Sequence, residues 1–192
     1  MTHVFAIAGG SGSGKSTLAY ALQDKHPGLV TLLHLDDYQK RGSEIRAQKI
    51  PNRDHPRAVN FSTLYQDIQQ LKKGETITVN SFDDRLNPDH KQHGRKDVFV
   101  QPRKYLIIEG YLALHDEKAR KLYDKSLFLD LDHLTRMQRR TKMLPDEYKD
   151  ILKEMHEVFV EPTKRYSGKV IDVSQRTEHE VFVHAQKYFC IH

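Results

Sequence analysis

Gly9-Gly10-Ser11-Gly12-Ser13-Gly14-Lys15-Ser16-Thr17, GGSGSGKST, follows a short apolar run from Val4 to Ala8 and opens a stretch from Lys15 to Lys25 that reads as a helix. Gly9, Gly14, Lys15 and Ser16 meet the spacing G-x-x-x-x-G-K-[ST]. Glycines let the backbone curl so that successive N–H groups converge on one phosphate chain, and the helix that follows adds its unpaired N–H groups and positive dipole end. In this pattern all nine residues bind nucleotide: Lys15 reaches the β and γ phosphates and Ser16 holds Mg²⁺. A flexible Gly/Ser turn that happens to contain a lysine is the alternative. The strand before and the helix after favour the phosphate loop, and so a nucleoside triphosphate such as ATP.

The 192 residues suit one domain with a small insertion or lid. A hydrophobic share of 38% and a charged share of 30% describe a folded, hydrophilic protein. The single cysteine, Cys190, cannot form an internal disulfide, which points to a reducing compartment. No apolar run approaches the eighteen or so residues that span a bilayer, and the N-terminus lacks the basic region of a signal peptide. The expectation is a cytoplasmic protein with no membrane partner. A net charge of +5 fits an anionic small substrate or a nucleic acid equally well.

Outward from the glycine loop, strands and helices alternate. Leu29 to Leu35 reads as a second strand, Phe61 to Gly74 as an amphipathic helix, Glu75 to Val79 as a short strand, and Lys104 to Leu112 as a central strand. Ser126 to Asp132 is a further core strand, Arg136 to Glu157 reads as helices broken near Pro145, and Lys169 to Ser174 and Glu178 to Tyr188 close the chain as strand and helix. The polar stretches Tyr38–Asn60 and Ser81–Lys96 read as loops. This alternation predicts an α/β protein with a parallel sheet covered on both faces.

In such a sheet ligands gather at the carboxyl ends of the strands. The second strand ends in paired acids, Asp36 and Asp37. Neighbouring residues on a strand face opposite sides, so only one of them can serve the phosphates. A carboxylate there can accept the proton of an attacking hydroxyl and help to hold Mg²⁺. Arg136 and Arg139/Arg140 recur at i, i+3 and i+4, a spacing that puts them on one helix face where they could close over phosphates. A solvated basic face is the plainer reading. The twelve histidines show no H-E-x-x-H or paired-cysteine spacing, so they read as scattered rather than zinc-binding.

These pieces together resemble the uridine kinase group of P-loop kinases, which also includes nicotinamide riboside kinase and phosphoribulokinase. LDDYQK (Leu35 to Lys40) is similar to the group's D-[SD]-F-[YF]-[KR], and NRDHPRAVNF (Asn52 to Phe61) to its N-F-D-H-P-x-A-F-D. LIIEGYL (Leu106 to Leu112) resembles its E-G-I-L strand, DLDHLTRMQRR (Asp130 to Arg140) its D-x-D-x-R-L-x-R-R, and FVEPTKRY (Phe159 to Tyr166) its P-T-K segment. The resemblance implies a P-loop fold over residues 1–192 with a substrate-binding insertion at about 38–100 and an arginine lid at about 134–150. It implies catalytic roles for Asp36, Lys15, Arg136 and Arg140, and Arg139 on ATP. Tyr38, Asp54, His55 and Phe82 would face the acceptor with Asp36 and Arg136, and Ser16, Asp36 and Glu109 would hold Mg²⁺.

Three departures concern the acceptor and the nucleotide base. Phe82 and Asn87 stand where the group's Y-D-F-x-x-H has tyrosine and histidine, TKMLPDEYKD lacks the R-D-x-x-x-R-G-R stretch, and Gly168 replaces the aspartate of Y-A-D. The expected activity is ATP-dependent phosphorylation of the 5′-hydroxyl of a ribonucleoside, uridine- or cytidine-like. The alternatives are another riboside such as nicotinamide riboside, or a nucleic-acid-binding P-loop ATPase or polynucleotide kinase.

Overall fold

A computed structural model describes residues 1–83, 85–139 and 146–192. Five parallel strands form the main sheet: β1 (His3–Gly9), β2 (Val30–His34), β5 (Tyr105–Glu109), β6 (Lys125–Asp130) and β7 (Lys169–Asp172), in the order β2-β5-β1-β6-β7. β1 is the centre, pairing Val4 with Leu106 on one side and Phe5 with Lys125 on the other. Its near-continuous burial is what a parallel strand covered on both faces requires.

Alternation along each strand divides the core in two. Val4, Ala6, Ala8, Leu106 and Ile108 join the face covered by α3 (Phe61–Lys72), through Leu64, Ile68 and Leu71. Phe5, Ile7, Ile107 and Leu127 join the opposite face with Leu18 and Leu22 of α1 (Lys15–Lys25) and Val181, Ala185 and Phe189 of α8 (Glu178–Phe189). Each buried Val, Leu, Ile or Phe among these contributes roughly 1.5–3 kcal/mol relative to exposure. Thr177 caps α8 in a reciprocal capping box with Glu180.

Two stretches that read as loops carry structure. The polar segment 38–60 contains α2 (Gly42–Ala47) and a 3₁₀ turn at Pro56–Ala58. The short strand expected at Glu75–Val79 is β3 (Ile77–Ser81). It leaves the main sheet and pairs antiparallel with β4 (Lys96–Val100), with a single helical turn, α4 (His90–His93), between them. β4 begins Lys-Asp, and only Val100 is fully buried, so its sequence shows no clean apolar alternation.

After β5 come a short helix, α5 (Glu117–Arg120), and then β6 and α6 (His133–Arg139). α7 (Asp146–Met155) follows and runs on through a π turn at His156–Val160 into a 3₁₀ segment, Glu161–Tyr166. Arg140 and the expected break at Pro145 lie outside the described residues. Among the described residues no helix is long and apolar enough to cross a membrane.

Candidate active site

The site begins where β1 ends. Gly14 takes a left-handed conformation (φ 92°) and starts α1 without a side-chain cap, so the first N–H groups of the helix remain for an anion. Lys15 lies back over the loop, its Nζ donating to the Gly10 carbonyl at 2.9 Å. Gly12 (φ 86°) meets the backbone of Arg136 so closely that a Cβ there would collide with it. The loop is therefore shaped by its own glycines and by α6 packed against it.

Ser16 Oγ donates to Glu109 Oε1 at 3.0 Å. Glu109 ends β5 beside β1, and the fully buried carboxylate also meets His34 Nδ1 at 2.7 Å. The other ring nitrogen of His34, Nε2, lies 3.0 Å from Asp83 Oδ2, which Tyr20 of α1 also contacts through its hydroxyl. Burial alone would disfavour charge on His34. Hydrogen bonds to Asp83 and Glu109 outweigh it and push its pKa up to about 10. Burial likewise opposes charge on Glu109, but the His34 hydrogen bond and the charges of His34 and Lys15 hold the carboxyl below its usual range.

The paired acids lie not on β2 but in a 3₁₀ turn just past it, Leu35–Tyr38, and diverge there, so the turn and not strand alternation separates them. Asp37 is buried and accepts hydrogen bonds from Ser81 Oγ at 2.7 Å and Phe82 N at 3.0 Å, tying the end of β2 to β3. Asp36 opens into the cleft. Water reaches its carboxylate, yet the surrounding walls desolvate it. Together with the negative charge of Glu109 they push its pKa up to about 6, against the pull of Lys15 and His34.

Two cavities flank Asp36. The larger, about 1090 Å³, is lined by the glycine loop, Glu109, Arg139 and the α8 side, including Arg176 and Phe182. The smaller, about 370 Å³, is lined by Gln39, Arg53, Asp54, Phe82, Tyr148 and His156 among others. Ser11, Asp36 and Tyr111 line both.

Asp54 and Phe82 therefore come together as expected, and Asp54 Oδ2 accepts from the Tyr148 hydroxyl of α7 at 2.5 Å. Tyr38 and His55 do not join them. The Tyr38 hydroxyl donates to Asp67 of α3 at 2.8 Å from within the core, and His55 turns its Nδ1 to Arg57 N and its ring edge-on to Phe159. Neither lines either of these two cavities.

The arginines separate too. Arg136 is 1% exposed: its Nε donates to Leu131 O at 3.0 Å and Nη1 to Ser11 O at 3.3 Å, under the loop and against the smaller cavity. Arg139 is exposed and lines the larger cavity, with Nη2 donating to Val173 O at 3.3 Å. One helix face thus does not carry both into the same space.

Asn87 does not face the cavity: its amide donates to Ser81 O and Gly94 O at 2.8 and 2.9 Å. A side chain at Gly168 would run into the Tyr188 hydroxyl, so that position is filled from α8. His34, Asp83, Tyr20 and Tyr111 stand out only in three dimensions. The signal available for His34 and Tyr111 was position, since both lie at or just past the carboxyl ends of parallel strands.

Magnesium fits these residues. Ser16 Oγ, Glu109 and Asp36 line the same cavity at the loop, and the burial and the nearby Glu109 charge that raise the Asp36 pKa are both offset by a bound cation. The small donor set suits an ion that keeps waters and phosphate oxygens as its remaining ligands.

The family described as phosphoribulokinase / uridine kinase matches residues 4–178. The chain belongs to that family. It is a P-loop kinase. It is 34% identical over 182 residues to the uridine kinase of Bacillus pumilus, covering 88% of this chain and 85% of that protein. The uridine kinase of Brevibacillus brevis is 33% identical over 184 residues, covering 88% and 83%. In fold, a possible uridine kinase from Bacillus stearothermophilus superposes with a TM-score of 0.61 at 23% identity, over 89% of each chain. In this member of the family the loop, Asp36 and Glu109 line one cavity, whereas the smaller cavity joins Gln39 and Tyr148 to Asp54 and Phe82.

Proposed function

We propose that this kinase transfers the γ-phosphoryl group of ATP to the 5′-hydroxyl of a ribonucleoside, uridine- or cytidine-like. The observation that carries the reading is the shared wall. Asp36 borders both the cavity at the glycine loop and the smaller cavity beside it, with a pKa near 6. The larger cavity suits the nucleotide and the smaller one the acceptor. Asp54, within the smaller cavity, suits a ribose hydroxyl. In this reading residues 38–100 act as the acceptor-binding insertion and 134–150 as the lid, with Arg139 reaching the nucleotide and Arg136 bracing the loop.

In the transfer the acceptor oxygen forms a bond to the γ-phosphorus as the bond to the ADP oxygen breaks. The hydroxyl proton passes to the Asp36 carboxylate, which above its pKa of about 6 returns it to water. The loop N–H groups and Lys15 take up charge that develops on the phosphoryl oxygens. Magnesium held by Ser16, Glu109 and Asp36 would add to that charge neutralisation. Exclusion of water by α7 over the smaller cavity would protect ATP from hydrolysis.

The test is ADP release with a panel of ribonucleosides, deoxynucleosides and nicotinamide riboside, each repeated with RNA or DNA in place of the small acceptor. Release that depends on a ribonucleoside supports the reading. ATP turnover that needs nucleic acid and falls steeply with salt would replace it with a nucleic-acid-linked activity.

A further inference from the structure

The buried chain Tyr20–Asp83–His34–Glu109 does more than fill space. Its four members come from α1, the loop after β3, β2 and β5, so it crosses from the acceptor insertion to the strand ends under the glycine loop. At one end Glu109 receives Ser16 Oγ at 3.0 Å. At the other, Asp83 follows Phe82, which lines the smaller cavity, and caps the turn after it by accepting from Arg85 N at 2.9 Å and Leu86 N at 3.0 Å. Between them stands a single imidazole whose two nitrogens each meet a carboxylate, at 2.7 and 3.0 Å. Carboxylates only accept, so both ring nitrogens must donate, and the ring orientation is fixed by both ends at once.

A bridge fixed in this way cannot let one end move alone. Swinging Asp83 away with Phe82 leaves a buried donor of His34 unsatisfied. The ring then relaxes away from the Glu109 carboxylate, which is otherwise aimed at Ser16. An unpaired buried donor is enough to bias either end by roughly five- to a hundred-and-fifty-fold.

We propose that His34 is a positioning residue that couples the seating of the Phe82–Asp83 segment, and with it acceptor binding, to the aim of Glu109 toward the divalent cation. His34 touches neither acceptor nor nucleotide. It acts through the two carboxylates. The inference rests on the kinase reading above, since that reading makes one cavity the acceptor's and assigns Glu109 to the metal.

The test is a binding experiment on the intact protein. Mn²⁺ affinity is measured by electron paramagnetic resonance with a non-hydrolysable ATP analogue present, and uridine affinity by calorimetry. His34→Gln can bond one carboxylate but not both, and should weaken Mn²⁺ and uridine binding together, each by about fivefold or more. Asp83→Asn lies on the insertion, away from Ser16, and keeps an acceptor for the turn. It should still weaken Mn²⁺ binding by a similar factor, and Tyr20→Phe by less. The double variant His34→Gln/Asp83→Asn should be no worse than the worse single one.

If Asp83→Asn binds Mn²⁺ as the wild type does, the coupling is overturned, whatever His34→Gln does. A fall in melting temperature with both affinities unchanged would show the chain to be structural only. Should His34→Gln fail to fold, Asp83→Asn and Tyr20→Phe decide the matter alone. Failure of the wild type to bind Mn²⁺ with the ATP analogue would instead strike the kinase reading itself, so the two failures are distinct.

Discussion

The larger cavity takes eight consecutive residues, Ser11 to Leu18, as its floor, whereas the smaller draws on the chain from Ser11 to Val160 with never more than two neighbours in sequence. The floor of the first is one continuous local stretch: the glycine loop and a helix start. The second is made of side chains that meet only because β2, the insertion, β5 and α7 pack together. In the proposed reading, phosphate binding rests on a local stretch of this chain, while acceptor binding rests on its packing. Changes near the glycine loop should act on chemistry with little effect on folding. Changes around the smaller cavity should mix binding with stability.

Lys15→Ala offers the largest effect and the sharpest test of the local half. Turnover should fall by more than about 10³-fold, the scale of losing a charge-stabilising contact in phosphoryl transfer. The melting temperature and the uridine Kd should stay near wild type. Near-normal kcat would break the assignment of the loop to the phosphates.

Asp36→Asn probes the residue that belongs to both cavities. We expect kcat to drop by on the order of 10²–10⁴. The acidic limb of the wild-type pH–rate profile, with its midpoint near pH 6, should vanish in the variant. The sign of the stability effect is opposite. Because folding raises the Asp36 pKa from 3.8 to about 6, ionisation costs folded-state stability as the pH climbs through that window and the loss stays constant above it, so the variant should be at least as stable as wild type at pH 7.5. Asp37→Asn should reverse this pattern. It disturbs the bonds to Ser81 and Phe82 and should lower stability by about 1–3 kcal/mol while leaving kcat within severalfold. If Asp37→Asn is the more damaging to kcat, the roles of the two acids are exchanged.

The two arginines of α6 sharpen the contrast within one helix. Arg136→Ala removes a buried side chain and the bonds to Leu131 and Ser11, and should cost about 3 kcal/mol in denaturant unfolding. Arg139→Ala should change stability by no more than about 0.5 kcal/mol and instead raise the KM for ATP. Equal stability losses would mean that Arg139 is as structural as Arg136.

The smallest effects lie in acceptor choice. Asp54 can accept from a ribose hydroxyl in place of Tyr148, whereas Phe82, Leu152, Met155 and Val160 give the same cavity an apolar wall. Loss of the 2′- or 3′-hydroxyl should lower kcat/KM by roughly 10–100-fold, as expected for a hydrogen bond to a charged group. Exchange of one pyrimidine for another should cost less than about tenfold. A steep preference between pyrimidines would show that Gln39, Arg53 or His156 reads the base.

Much of the fold was legible in advance because its signals are short-ranged. Strand and helix periods, the glycine loop and the apolar runs at Leu106–Ile108 and Leu127–Leu129 each specify local structure, and right-handed crossovers leave a parallel sheet few ways to order its strands. The β3–β4 ribbon was less legible, because β4 has a solvated face and its partner lies across a polar loop.

For the site, the sequence by itself pointed to the groups whose signal is backbone and spacing: Gly9 to Thr17, the acid pair Asp36 and Asp37 just past β2, and Glu109 at the end of β5. Only the tertiary structure tied Asp37 to Ser81 and left Asp36 in the cleft, sent Tyr38 to Asp67, buried Arg136 beneath the loop and threaded His34 between two carboxylates. The physical reason is the range of the interactions. A phosphate loop is closed by bonds among residues a few positions apart, such as Ser13 N to Gly10 O. The partners of Asp37, Tyr38 and His34, and Ser11 as partner of Arg136, lie 29 to 125 residues away, and no local pattern records which of them the packed sheet will bring within reach.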